Sequence, residues 1–430
     1  MIDCSLAFHA ARTGSPVLPA AAHRSSPSRL CSRPPVLSVA NAVLAVLCLS
    51  AALFSHSSSA AESGCDFSAA NAAEAGGEAC ARAWMDRNLR LNDVQVIGTH
   101  NSYKLRIPPE EFAAHKAHDA HGADGLDYGH RPLGEQLDLG IRQLELDVWD
   151  DPEGGRWLHP PGALRQGYAT PPWPPAQAAL MAKPGFKVMH LADIDFRSNC
   201  VTFVACLTAI RTWSAAHPRH VPIMILINAK DGKLGPGSVP ALKFDTAAFD
   251  RLDAEIRSVF KPAQLITPGE VQGKYPTLRE AVHADNWPSL GRARGRVLFV
   301  LDESDDKVAL YRGARASLEG RAMFPTIKEN SPAAGYVTLN DALADTARIR
   351  ADVAAGLLVR TRADADTVEA RTGDTTRRDT ALASGAQYVS TDYFEPDLRF
   401  GPYRVRFDGG AIARCNPVRA AEKCAGIPIE

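Results

Sequence analysis

The chain has 430 residues, 45% of them hydrophobic and 23% charged, with 48 Lys and Arg against 49 Asp and Glu. Those proportions describe a globular protein, and the absence of a basic stripe or tail excludes a nucleic-acid partner. Length alone permits one large α/β domain or two smaller ones.

The N-terminus reads as an export signal. Residues 36–54 form an uncharged apolar run that follows Arg24, Arg29 and Arg33 and precedes Ser57-Ser58-Ser59-Ala60-Ala61. That is the order of a signal peptide, with an extended n-region and cleavage near Ala61; its 19 residues would also just span a bilayer if it were kept as an anchor. Residues 1–61 are therefore set apart from a domain at 62–430, and the protein is expected to be secreted or periplasmic. Without that leader, which holds four basic residues and Asp3, 44 Lys and Arg face 48 Asp and Glu. Cysteine usage agrees with export, because three of the nine cysteines (Cys4, Cys31 and Cys48) leave with the leader. The other six are spaced as three local pairs, Cys65 with Cys80, Cys200 with Cys206 and Cys415 with Cys424, although spacing does not fix connectivity.

From residue 91 to about 403, apolar runs alternate with amphipathic segments and no Gly-, Ser- or Pro-rich linker divides them. Strands are expected at 94–97, 141–148, 186–190, 221–229, 296–301, 356–360 and 388–390, with a weaker one at 324–328. Helical patterns cover 202–216, 246–260, 339–355 and 366–384. Eight strands interleaved with helices predict a single TIM-like (β/α)8 barrel in a monomer, with room for distortion. A doubly wound sheet is the alternative, but no glycine fingerprint follows the first strand. Long excursions at 104–130 and 151–185 would overhang the barrel mouth. The second carries Trp157 and Trp173, which would either dip into a membrane interface or pack over the mouth.

The polar residues that end these strands carry the chemistry. The first strand stops at Gly98 and delivers His100 beside Asn101. In the second, alternation places Glu145 and Asp147 on one face, where two carboxylates repel unless a cation sits between them. A hard divalent ion, Ca2+ outside the cell, suits such oxygen donors. Residues 186–190 end in His190, a partner for His100 in acid/base work. The fourth strand places Asn228 and Lys230 on one face, the first as a metal ligand and the second as a phosphate contact. Arg360, Arg362, Asp392 and Tyr393 at the last two strand ends are weaker substrate-binding candidates. His115, His118 and His121 recur every three residues, but an exposed polar excursion explains them. No Gly-x-Ser-x-Gly elbow supports a serine hydrolase.

Taken together, Ile97-Gly98-Thr99-His100-Asn101-Ser102, Arg131-Pro132-Leu133 with Glu135-Gln136-Leu137, the run from Arg142 to Asp147, His190 and Ser390-Thr391-Asp392-Tyr393 resemble the secreted bacterial Ca2+-dependent phosphatidylinositol-specific phospholipase C family. The resemblance implies a barrel phosphodiesterase with His100 and His190 as the acid/base pair and Asn101, Glu145 and Asp147 as calcium ligands. It also implies a phospholipid substrate at a membrane interface, cleaved to diacylglycerol and a cyclic inositol phosphate. Asn228 departs from the pattern, standing where the related enzymes commonly carry a glutamate. A glycerophosphodiester phosphodiesterase would show His-Arg where this chain has His100-Asn101, and a decayed lipid-binding protein would have lost its histidines.

Overall fold

In the computed structural model, residues 64–162, 172–235 and 237–430 are described, so the leader at 1–61 lies outside the described residues. Among the described residues, eleven strands occur in chain order: β1 Val94–Thr99, β2 Gln143–Trp149, β3 Lys187–Val188, β4 Ile223–Ala229, β5 Leu265–Ile266, β6 Val297–Leu301, β7 Met323–Pro325, β8 Tyr336–Asp341, β9 Leu358–Arg362, β10 Tyr388–Thr391 and β11 Ala413–Cys415. Eight of them, β1, β2, β4, β6, β7, β8, β9 and β10, are parallel neighbours in that order, and β10 pairs back onto β1. The joint between β7 and β8 is a bridge from Thr326 to Tyr336. The result is the expected TIM-like barrel.

Central strands such as β4 are buried on both faces, which explains a run like Ile223-Met224-Ile225-Leu226-Ile227. Helices close the outside. Phe203–Ala216 is capped by Thr202, whose hydroxyl accepts from the Ala205 amide, and it buries Phe203, Leu207, Ile210 and Trp213 against the sheet. All three cysteine pairs suggested by spacing are disulfides: Cys65–Cys80, Cys200–Cys206 and Cys415–Cys424. Among the described residues, no helix is long and apolar enough to cross a membrane.

The structure differs from expectation in three places. Residues 186–190 do not make a barrel strand: β3 is two residues long and runs antiparallel to the end of β2, with Val148 opposite Val188. β2 pairs directly with β4, and the eighth strand of the ring is instead β8, between β7 and β9, whose residues had been read partly as the start of a helix; that helix begins only at Thr346. The helical pattern at 366–384 breaks at Gly373, which takes a left-handed conformation between Val368–Thr372 and Thr376–Ser384.

Candidate active site

The turn after β1 is built by its own motif. Gly98 is required there because a Cβ would lie 1.8 Å from Gln143 Oε1 on the neighbouring strand. Thr99 Oγ1 lies 2.6 Å from Ser102 Oγ and donates to Gln136 Oε1, while Gln136 Nε2 donates to the Ser102 carbonyl. Ser102 then stitches the turn to β2, its amide donating to the Glu145 carbonyl and its hydroxyl accepting from the Glu145 amide. Asn101 takes φ +48° to make this reversal. The motif thus fixes His100 and Asn101 relative to Glu145.

His100 Nδ1 is 2.7 Å from Asp392 Oδ1, and the carboxylate can only accept, so this nitrogen carries the proton and Nε2 is left as the basic atom. The Tyr128 hydroxyl lies 3.2 Å from the same Nδ1, and His130 Nε2 donates to the His100 carbonyl. Burial, followed by the positive charges of Arg362 and Arg360, holds His100 well below the usual histidine range. It is therefore neutral near pH 7, as a base must be.

His190 follows β3 in a tight loop closed by Leu191 and Asp195. Its Nδ1 is 2.8 Å from Asp195 Oδ2, and the buried Lys104 ammonium reaches the same carboxylate at 3.3 Å. Burial works to raise Asp195, but Lys104 and the His190 bond outweigh it and hold the carboxyl below its ordinary value. A second hydrophobic cluster supports this loop. Trp149, Trp157, Trp173, Met189 and Phe196 pack together, with Trp149 Nε1 donating to the Met189 carbonyl and Trp173 Nε1 to the Trp157 carbonyl. Trp157 and Trp173 are 1% and 4% exposed, so they are packing residues and are not available to a membrane. The charge of His190 is among those that depress His100, after burial and the two arginines.

The carboxylates come from β2. Glu145 Oε2 accepts from Arg360 at 2.7 Å, its Oε1 accepts from Asn228 Nδ2 at 3.2 Å, and His100 Nε2 stands 3.7 Å away. Burial, opposed by Arg360 and aided by the Asp147 charge, pushes Glu145 up to about 7. Asp147 is fully buried, and Lys230 Nζ lies 2.9 Å from its Oδ2 as an ion pair. Asn101 donates to the Tyr128 hydroxyl and accepts from that of Tyr103. Arg362 is bound to the second oxygen of Asp392 at 2.9 Å.

Among the described residues, no three His, Cys, Asp or Glu side chains converge as a metal site. The donors of Asn101, Glu145, Asp147 and Asn228 are nonetheless all oxygen-bearing, and the buried Asp147 Oδ1, which accepts no hydrogen bond, is the kind of atom a hard cation satisfies. The set fits calcium by donor type but is thin in negative charge, with two carboxylates already facing Lys230 and Arg360.

The barrel mouth thus brings together His100, Asn101, Glu145, Asp147, His190, Asn228, Lys230, Arg360, Arg362 and Asp392. Tyr393 is the exception: alternation turns it away from Asp392 into the outer core, where it meets Phe400 and Tyr403 and is 2% exposed. Sequence reasoning missed Asp195, Lys104, Tyr103 and Tyr128, which lie in irregular segments. It also missed Asp302, which directly follows β6 and whose carboxyl is raised by burial against the opposing charges of Arg360 and Lys230. Asp302 carried the same signature as His100, an apolar run stopping at a polar side chain.

A model of the Ca2+-dependent phosphoinositide phospholipase C family matches residues 89–417. No curated protein sequence matches the chain. Among solved structures, it is similar to a calcium-dependent phosphoinositol-specific phospholipase C from Pseudomonas sp., in a myoinositol complex, at 17% identity and TM-score 0.47 over 76% of this chain and 96% of that one. It is also similar to the Ca2+-dependent enzyme of Streptomyces antibioticus, at 20% identity and TM-score 0.45 over 71% and 95%. Similarity to the phosphatidylinositol-specific phospholipase C of Listeria monocytogenes is lower, at 11% identity and TM-score 0.39 over 72% and 92%. With the family match spanning the whole barrel and all of the mouth residues, the chain belongs to the Ca2+-dependent phosphoinositide phospholipase C family, whose members cleave phosphodiesters.

Proposed function

We propose that the protein cleaves phosphatidylinositol to diacylglycerol and a cyclic inositol phosphate. The observation that carries this reading is the pair of histidines, each with Nδ1 tied to its own buried carboxylate, which makes Nε2 the ring atom left to meet substrate. His100 Nε2 takes the proton of the inositol 2-hydroxyl as that oxygen attacks phosphorus. The bond from phosphorus to the glycerol oxygen breaks, and His190 gives its proton to the departing oxygen. No covalent enzyme intermediate is needed, because the nucleophile belongs to the substrate. Hydrolysis of the cyclic product is the same path with water entering and the two histidines exchanging roles.

Asn101, Glu145, Asp147 and Asn228 would hold calcium, which when bound neutralises charge on the phosphate. Lys230 and Arg362 border the same space and orient the phosphate oxygens. The export reading rests on the apolar leader and is supported by three disulfides. The membrane partner follows from the substrate. Phosphorus NMR of the purified protein on phosphatidylinositol, with calcium and with chelator, tests the proposal against His100→Ala. Wild type should yield cyclic inositol phosphate and the variant none; absence of any inositol phosphate from wild type overturns it.

A further inference from the structure

On the outer wall of the barrel, away from the mouth, a cavity of about 470 Å³ is lined by Arg378, Arg404, Arg406 and Arg414 together with Asp379 and Asp408. The chain places these guanidiniums there deliberately. Tyr403, Val405 and Phe407 are buried, so the alternate residues Arg404 and Arg406 turn outward on the same side of an extended segment. Arg414 comes from β11, which pairs with the first residues of β1, Arg414 lying opposite Gln95. Gln95 is five residues before His100, or about 16 Å along an extended strand, so this cavity and the mouth are separate places.

Its charge is not balanced internally. Arg378 is paired with Asp379, whose other oxygen accepts from Thr375. Among the described residues, Arg404, Arg406 and Arg414 have no ion-pair partner, whereas ion pairs elsewhere occupy most of the arginines. Arg414 is held rigidly, Nε donating to Gln95 Oε1 at 2.7 Å and Nη2 to the Leu382 carbonyl at 2.8 Å, with Phe407 beneath it. Arg406 Nε donates to the Phe394 carbonyl at 3.2 Å, leaving its remaining N–H groups unspent. Fixing a guanidinium in partly buried surroundings without a counterion costs free energy, and the cost is recovered when an anion arrives. Four guanidiniums against two carboxylates leave two positive charges in a chain that is otherwise near neutral.

We propose that this cavity binds a phosphate-bearing dianion, gripped by Arg404, Arg406 and Arg414. The forked geometry of the guanidinium matches phosphate oxygens two at a time, and the residual charge of the lining is that of a phosphate monoester. The ligand is either a free phosphate ester or the phosphorylated headgroup of a lipid, and the proposal does not depend on the chemistry at the mouth.

Titration calorimetry of the full chain with pyrophosphate, compared with an Arg404→Gln/Arg406→Gln double variant, tests it. Both changed residues lie outside the acid/base site, so activity on a soluble inositol phosphodiester should be unchanged. The variant is expected to bind one fewer pyrophosphate, or to bind it at least about tenfold more weakly. Equal stoichiometry and affinity in the two proteins would overturn the proposal. So would an equal loss in an Arg82→Gln/Arg348→Gln control, which removes the same charge elsewhere. Sedimentation with phosphatidylcholine vesicles containing a phosphorylated inositol lipid separates the sources. Co-sedimentation that the double variant loses identifies the lipid headgroup; pyrophosphate binding without co-sedimentation identifies a free anion.

Discussion

Replacing Asp195 with Asn keeps the volume beside His190 and removes the charge. The carboxylate is 2.8 Å from His190 Nδ1 and is buried, and Lys104 approaches it at 3.3 Å. In the proposed reaction His190 must be cationic before it protonates the glycerol oxygen, and a buried carboxylate stabilises that cation where an amide does not. A charge-assisted hydrogen bond of this kind contributes about 1.5–3 kcal/mol, which corresponds to a fall in kcat of roughly 10- to 150-fold. Asp195→Asn also leaves the Lys104 ammonium without its counterion, so Asp195→Asn/Lys104→Met serves as the charge-balanced companion. The deciding assay varies the leaving group. With a glycerol-type alcohol, departure needs the acid and the full loss should appear in kcat with little change in KM. With a nitrophenyl ester of inositol phosphate, the leaving group departs unprotonated and the loss should shrink to severalfold. An equal loss on both substrates would refute the reasoning, because it would make Asp195 a general support of the site and not a positioning residue for the acid.

Calcium should stabilise wild-type protein only slightly in thermal unfolding, because Lys230 and Arg360 already face Asp147 and Glu145. Lys230→Met should lower the calcium dissociation constant about tenfold, read as a larger calcium-dependent rise in Tm, with Asn228→Glu acting in the same direction; unchanged shifts in both variants would contradict this. Trp157→Ala empties a buried indole site between Trp149 and Trp173 and should cost about 3–5 kcal/mol in denaturant unfolding. Activity of that variant should fall equally on bilayers and on soluble substrate, and a loss confined to bilayers would restore the interfacial role. Glu255, which accepts from the Phe186 amide, is pushed by burial up to about 7. Because its folded form holds a proton that the unfolded chain releases near pH 4.5, its contribution is greatest at low pH and declines as pH rises to about 7. The stability of Glu255→Gln relative to wild type should accordingly improve across that window, by at most about 1.4 kcal/mol per pH unit; a flat difference would exclude the titration.

What could be read from the sequence was what regular strands encode. Alternation placed Glu145 with Asp147, which lie in one buried strand whose faces are fixed by its neighbours, and Asn228 with Lys230, which directly follows β4. It failed at β3, where an apolar run ending in His190 looked like a barrel strand but is too short and folds back along β2. It failed again at β8, where Tyr336–Asp341 runs into the following helix without a turn signal strong enough to separate them. Asp195, Lys104 and Tyr128 were invisible for another reason: their roles come from loops brought together by packing, with no period to betray them. Arg360 and Lys230 were found as candidate substrate contacts, but their pairing with the two carboxylates was not, because it is long-range and links β9, and the end of β4, to β2.

The route by which His190 reaches the mouth has a kinetic consequence. His100, the carboxylates and the arginines stand on the barrel ring and share its large core, whereas His190 rides on a satellite with its own small cluster of tryptophans. Small clusters open at lower free energy than the body that carries them. Amide exchange should therefore be faster at residues 189–195 than along β1 or β4, and moderate heating should release the satellite before the ring melts. In that interval the protein would still hold inositol phosphates but turn them over poorly, so heat would abolish catalysis before binding.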